Sequence, residues 1–270
     1  MREQVKPDVL LGGTVEIHEV LARAGKLAEF APLPDPDRIA TYDDPRKHWT
    51  PLYLGYLAIV HRPLPSLAES PPNWATLVQP RWTGRVSIPS PSKSGGGLVF
   101  LATQLMRREN SEAGWQYLRL LEERGVRYEE RSSLPIQRVG AGTMDLGVAW
   151  AHDIVRRRDE ERLPVELHIP EQTGYEVGGV SILAWSDQIG AAEKFVNFLS
   201  GSRAGEIQAS HGRRVPLRLD VEPPTYLMDR AQGGDARLMR DRTAFYDRQR
   251  VLSDRSAWLT RWAKESGGSR

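Results

Sequence analysis

The sequence predicts an α/β fold built on a parallel-rich sheet, and three observations carry that prediction. Short apolar or β-branched runs alternate with stretches whose apolar residues recur at helical spacing. Several of these runs close on a turn of glycines and hydroxyls that opens into a helix, most plainly in residues 85–105, RVSIPSPSKSGGGLVFLATQL. The chain is 270 residues long, enough for a substantial core and at the length where one core becomes two lobes or domains.

That stretch is the one around which the chain is organised. Arg85-Val-Ser-Ile88 is a β-branched run stopped by Pro89 and Pro91, and Leu98, Leu101, Ala102 and Leu105 lie on one helical face. Between them, Ser90-Pro-Ser-Lys-Ser-Gly-Gly96 joins a strand to a helix start. Such a turn leaves backbone N–H groups unpaired beside the positive end of the helix dipole, which makes an anion cradle. The plainer alternative is that Ser94 only caps the helix and the glycines only turn the chain.

The other segments follow in order. Asp8-Val-Leu-Leu11 is a short strand ended by Gly12-Gly13, and Thr14 is expected to cap an amphipathic helix with Val15, Val20, Leu21 and Leu27 on its apolar side. Residues 31–51, rich in Pro, Asp and Tyr, predict a surface loop, and the apolar run 52–60 predicts a strand buried on both faces. One short helix between prolines is expected in 70–84. A helix from Gly97 to about Arg108 precedes one that Ser111 caps and Gly125 stops, with Trp115, Leu118 and Leu121 inward. Strands are expected at 126–128, 145–150, 165–169 and in the apolar run 177–185, and helices at 135–139, after Ala151-His152-Asp153, at 191–199 with Phe195, Val196 and Leu199 inward, and at 202–211. Ser132 and Ser133 are placed to cap the helix that opens at Pro135. Beyond Leu219, spacing at Leu238, Phe245, Leu252, Leu259 and Trp262 predicts two or three helices packed on the outside, then a disordered SGGSR end.

Composition excludes several classes of function. A net charge of +2 without a basic stripe argues against nucleic acid. The chain has no cysteine, so disulfides, thiolate nucleophiles and Cys-based zinc sites are excluded. No apolar run reaches the roughly 18 residues of a spanning helix. The opening MREQVKPDVLLGG lacks the apolar core of a secretory signal, so either the protein stays inside the cell or the chain does not begin where the gene product begins. There is no nucleophile elbow, P-loop or H-E-x-x-H motif. His152-Asp153 is a general acid–base pair in principle, as a hydrolase or isomerase of a phosphorylated metabolite would need. Without a nucleophile, metal or cofactor site it is more economically a ligand clamp.

In open α/β sheets the ligand sits outside the carboxyl ends of the strands, where the polar turns of this chain also fall. Ser92, Ser94 and the N–H groups of Gly95 and Gly96 are therefore the candidate phosphate or phosphonate cradle, with Gly13 and Thr14 facing it. His152, Asp153 and Glu176 are suited to hydroxyls or an ammonium at the far end of the ligand. Lys93 adds a point charge or is only a solvated surface residue. His152 has the alternative of a capping or core histidine, and Glu176 that of a surface turn carboxylate.

The ordered set DVLLGG, LYLGYLAIVHR, NWATLVQPRWTGRVSIPSPSKSGG, SSLPIQRVGAGTMDLGVAWAHD, TGYEVGGVSIL and AAEKFVNFLSG resembles the extracellular solute-binding proteins of ABC importers, in the branch of ferric-iron, phosphonate and sugar-phosphate binders. The resemblance covers roughly residues 7–216. It implies a two-lobed periplasmic-binding-protein-like fold of class II that closes on its ligand by a hinge, with residues 52–60 and 177–184 as crossing strands. Lobe 1 would comprise 1–60 and 179–270, and lobe 2 would comprise 61–178. It also implies a non-catalytic, periplasmic monomer without a cofactor, partnered by an inner-membrane permease and a small anionic ligand. The family begins with a signal peptide, a strand, a serine-bearing loop and a helix before the DVLLGG segment, so the N-terminal lobe is expected to be incomplete. An intracellular sensor derived from such a binder is the alternative from another class. Ferric binders of the family use adjacent tyrosines; this chain has no Tyr-Tyr and carries Trp150-Ala-His-Asp153 near that strand end, which ranks iron below an organic anion and predicts no metal site.

Overall fold

The structure, a computed structural model, describes residues 6–69, 71–108, 111–227 and 242–266. Leu238 and residues 267–270 of the expected C-terminal segments lie outside the described residues. In chain order the elements are β1 (Val9–Thr14), α1 (Val15–Arg23), β2 (Thr50–His61), α2 (Pro65–Glu69), β3 (Val86–Pro89), α3 (Gly95–Met106), α4 (Ser111–Glu123), β4 (Arg127–Glu129) and α5 (Leu134–Gly140). They continue with β5 (Leu146–Trp150), α6 (Ala151–Glu160), β6 (Glu166–His168), β7 (Tyr175–Ile182), α7 (Ile189–Ser200), α8 (Ser202–Ser210), β8 (Val215–Pro216) and a long helix, α9 (Arg248–Glu265). The expected helix in 70–84 is instead two 3₁₀ turns, Thr76–Val78 and Pro80–Trp82, because prolines at 71, 72 and 80 leave no room for a full α-helical ladder.

The chain forms two compact units, Met1–Gly55 with Glu176–Pro224, and Tyr56–Tyr175 with Thr225–Arg270. β2 runs from one into the other at Gly55–Tyr56, and the return falls at Tyr175–Glu176, so residues 177–184 belong to the first unit alone. In the first unit β1 pairs antiparallel with β7, Val9 opposite Ile182 and Thr14 opposite Gly178, and β8 pairs with β2 at Tyr53–Pro216. Leu52, Tyr53, Val180, Ile182, Ala192 and Val196 form a core here. Val20 and Phe195, expected to face inward, are exposed. The buried residues of α1 are instead Val15, Glu16, His18, Glu19 and Ala22, a face whose three polar members disguised it in the sequence.

In the second unit the strand order is β2-β5-β3-β4, with β6 also paired to β2. β3 is parallel to β4 and to β5, whereas β2 runs antiparallel to β5 and β6. The parallel-rich expectation therefore holds only for β4-β3-β5, where helical crossovers α3–α4 and α5 impose it. β2 arrives from the first unit with no such crossover. The C-terminal helix also departs from expectation. Residues 225–270 belong to the second unit, and Tyr246, Val251, Trp258 and Trp262 are buried in one cluster with Leu57, Phe100 and Trp115. Heavy charge disguised this face, because Arg261 and Arg250 lie over the rings of Trp115 and Trp258 while keeping their cationic ends at the surface.

His168 on β6 gives a pH prediction. Burial, reinforced by the charge of Arg242 and by His61, pushes its imidazole down to about 4. The unfolded chain then binds a proton between about pH 6.5 and 4 that the folded chain refuses, so stability contributed at neutral pH is lost as pH falls through that window. Melting temperature is expected to drop from pH 7 to pH 4.5, and His168→Gln to remove about 1–2 kcal/mol of that drop, allowing for solvent screening of a partly exposed ring. An unchanged slope in the variant would assign the acid sensitivity elsewhere.

Candidate binding site

Because β3, β4 and β5 are parallel, their carboxyl ends share one edge, and the segments leaving Pro89, Glu129 and Trp150 are brought together there. The Ser90 amide donates to the Glu129 carbonyl at 2.7 Å, tying the first two exits to each other. Ser94 is the N-cap of α3: its Oγ accepts from the Gly97 amide at 3.1 Å, and its carbonyl accepts from the Leu98 amide at 3.1 Å. The capping role is thus real, and the amides of Gly95 and Gly96 are the two first-turn donors the cap does not use. Ser92 is exposed and its Oγ lies 3.0 Å from that of the buried Ser90.

Gly96 permits the convergence. A Cβ there would stand 2.6 Å from Ser132 Oγ and 3.5 Å from Trp150 Cε2, so the α3 start, the β4–α5 loop and the end of β5 meet at this residue. Ser133 at the start of α5 makes no side-chain cap bond, contrary to expectation; Pro135 in the first turn lowers the number of amides that need one. Trp150 stacks on His152, rings 9° from parallel and 6.3 Å apart. His152 is 2 % exposed, and its Nε2 lies 3.9 Å from Asp153 Oδ1, which also accepts from Arg156 at 3.3 Å. Both residues fall in the first turn of α6, where the carboxylate is favoured by the helix dipole. The structure brings Gly96 to Ser132 and to Trp150, on which His152 stacks; Ser92, Ser94 and Gly95 lie along the same entry to α3, and Ser132 is the contact residue sequence reasoning left out of the set.

Gly13, Thr14 and Glu176 belong to the first unit. The β1–β7 register sets Thr14 opposite Gly178, so the buried Glu176 lies two residues beyond, at the same end of that ladder as the Gly12–Gly13 turn. Thr14 occupies the N-cap position of α1 with extended backbone, φ −75° and ψ 145°, but its side chain makes no cap hydrogen bond. Among the described residues no group of His, Cys, Asp and Glu side chains is placed to hold a metal ion, and no helix is long and apolar enough to cross a membrane.

In the second unit, the α3 helix start and the Trp150–His152 pair thus lie at the carboxyl ends of β3 and β5. The chain belongs to the family of bacterial extracellular solute-binding proteins, which it matches over residues 5–229. It is 28 % identical over 219 residues to an uncharacterized protein of Haemophilus influenzae, covering 78 % of this chain and 63 % of that one. It is 27 % identical over 225 residues to a probable ABC transporter periplasmic-binding protein, y4fP, of Sinorhizobium fredii, covering 78 % and 60 %. The chain thus spans less than two thirds of the length of these curated relatives. Its fold is similar to that of the periplasmic binding protein AfuA of Actinobacillus pleuropneumoniae, solved with exogenous fructose 6-phosphate bound, with a TM-score of 0.82, 20 % identity and coverage of 99 % of this chain and 85 % of that one. The family read from the ordered motifs is the one the chain belongs to, and its members bind solutes for transport.

Proposed function

We propose that the protein is the substrate-binding component of an ABC importer, working as a non-catalytic periplasmic monomer that delivers a small phosphorylated or phosphonate-bearing organic anion to an inner-membrane permease. The observation that carries this reading is the approach of the α3 start at Gly96 to Ser132 and to Trp150, with His152 stacked on Trp150, at one sheet edge. Amides at a helix start suit an anionic head, and a buried histidine beside a carboxylate suits ligand hydroxyls. In this reading Ser92 and Ser94 line the head site of the second unit, and Gly13, Thr14 and Glu176, the last suited to a hydroxyl or ammonium, are the ligand groups of the first. AfuA, with its bound fructose 6-phosphate, makes sugar phosphates the first probes. Ferric ion ranks second, because the sequence lacks the adjacent tyrosines of the ferric binders.

Titration calorimetry with fructose 6-phosphate, other sugar phosphates, aminophosphonates, inorganic phosphate and ferric citrate tests the proposal. One of the organic anions is expected to bind in the micromolar range or tighter, and His152→Ala and Asp153→Asn to weaken it by about 10- to 100-fold each, the loss expected for a hydrogen bond to a charged or buried group. Heat with none of the anions alongside tight ferric binding would overturn it.

A further inference from the structure

His18 is fully buried in the first unit, and its two ring nitrogens reach two different strands. Nε2 lies 2.9 Å from the Gly12 carbonyl of β1, and Nδ1 is hydrogen-bonded with Ser181 Oγ of β7. A carbonyl only accepts, so Nε2 carries the proton, and Nδ1 accepts from the Ser181 hydroxyl. The ring therefore bridges β1 to β7 at the place where their register shifts, between Leu11 and Thr14.

The turn it touches is an irregular part of β1 itself, where the pairing with β7 slips between Leu11 and Thr14. Gly12 and Gly13 sit at φ +87° and +76°, a region glycine enters without steric cost and leaves as easily. A Cβ on Gly12 would meet no atom within 4 Å and one on Gly13 only Ile17 Cδ1 at 3.9 Å, so no side chain packs closely onto that face of the glycines. Thr14 does not pin it through a cap bond either. On the opposite strand, Gly179 comes within 3.7 Å of His18 Cδ2 when a Cβ is placed on it, so the ring is wedged against β7.

We infer that His18 is a positioning residue, a brace that fixes the Gly12–Gly13 turn against β7 and so presents Gly13 and Thr14 to the ligand in one geometry. This rests on the reading of Gly13 and Thr14 as ligand groups. Burial keeps the ring neutral at pH 7 by lowering its proton affinity, with the Gly12 carbonyl and the Glu16 carboxylate acting in the opposite sense. A neutral ring retains the one-donor, one-acceptor pattern that the bridge needs.

Hydrogen exchange by mass spectrometry on residues 10–16, combined with calorimetry using fructose 6-phosphate, tests the brace on the intact chain. His18→Leu is expected to speed exchange of the turn at least tenfold while α7 keeps its protection, and to weaken fructose 6-phosphate about tenfold. His18→Gln, which supplies one donor and one acceptor of similar reach, is expected to restore most of both. If His18→Leu does not fold, Ser181→Ala, which removes only the Nδ1 partner, carries the same comparison. Unchanged turn exchange in the variants overturns the inference, as does a loosened turn with unchanged affinity. A loosened turn in a protein whose wild type binds none of the anions supports the brace and overturns the anion reading instead.

Discussion

Gly97→Ala is expected to cost more than about 3 kcal/mol and to abolish ligand binding along with folding of the second unit. Alanine is a better helix former than glycine by about 1 kcal/mol, so propensity alone predicts the opposite sign. Geometry decides: a Cβ on Gly97 would stand 2.2 Å from the Ser90 carbonyl oxygen, 2.3 Å from its carbon and 2.6 Å from the Pro89 carbonyl oxygen. These are backbone atoms of the β3 exit, and the Ser90 amide and carbonyl are both engaged, to Glu129 and to the Lys93 and Ser94 amides. They have nowhere to move without dismantling the turn. Circular dichroism and thermal melting of the variant give the answer, and a melting temperature at or above wild type would show that the helix start is not packed as described.

Gly178→Ala is the second large effect, and it comes with an internal control. Its Cβ would fall 1.9 Å from Tyr53 Cζ and 2.3 and 2.4 Å from the flanking ring carbons. A flexible side chain usually swings aside from such a contact at small cost. Tyr53 is 3 % exposed, belongs to the first-unit core, and carries the Arg214 guanidinium over its ring at 4.3 Å, so the ring is held on both faces. We expect a loss of about 2–4 kcal/mol for Gly178→Ala, and less than the sum of the single losses for Gly178→Ala with Tyr53→Leu, a coupling of at least about 1 kcal/mol. Strict additivity in denaturant unfolding would mean that the two residues do not share this contact.

The entry to α3 divides one local signal between two roles. Ser94 and Gly96 stand two positions apart and both count among the candidate ligand groups, yet Ser94 turns its hydroxyl to the Gly97 amide while Gly96 makes room for Ser132 and Trp150. Capping and cradling are compatible because a cap satisfies only part of the first turn. Trp150 serves both the core, where it is 6 % exposed, and His152, whose ring stacks on it.

Features that depend on neighbours along the chain were legible in the sequence. Strand and helix identity followed from side-chain period, the turns from Pro, Gly and Ser, the candidate residues from their positions at strand ends, and the family from the order of those segments. Tertiary structure alone decided whatever depends on residues distant in the chain. Charged α9 packs its tryptophans into the second-unit core, β2 runs antiparallel where a parallel sheet was expected, and His18 joins β1 to a serine 163 positions away. The physical reason is that burial is a property of what a side chain lands against. An arginine-rich helix hides its apolar stripe and a histidine looks polar until the partners that satisfy them are in place.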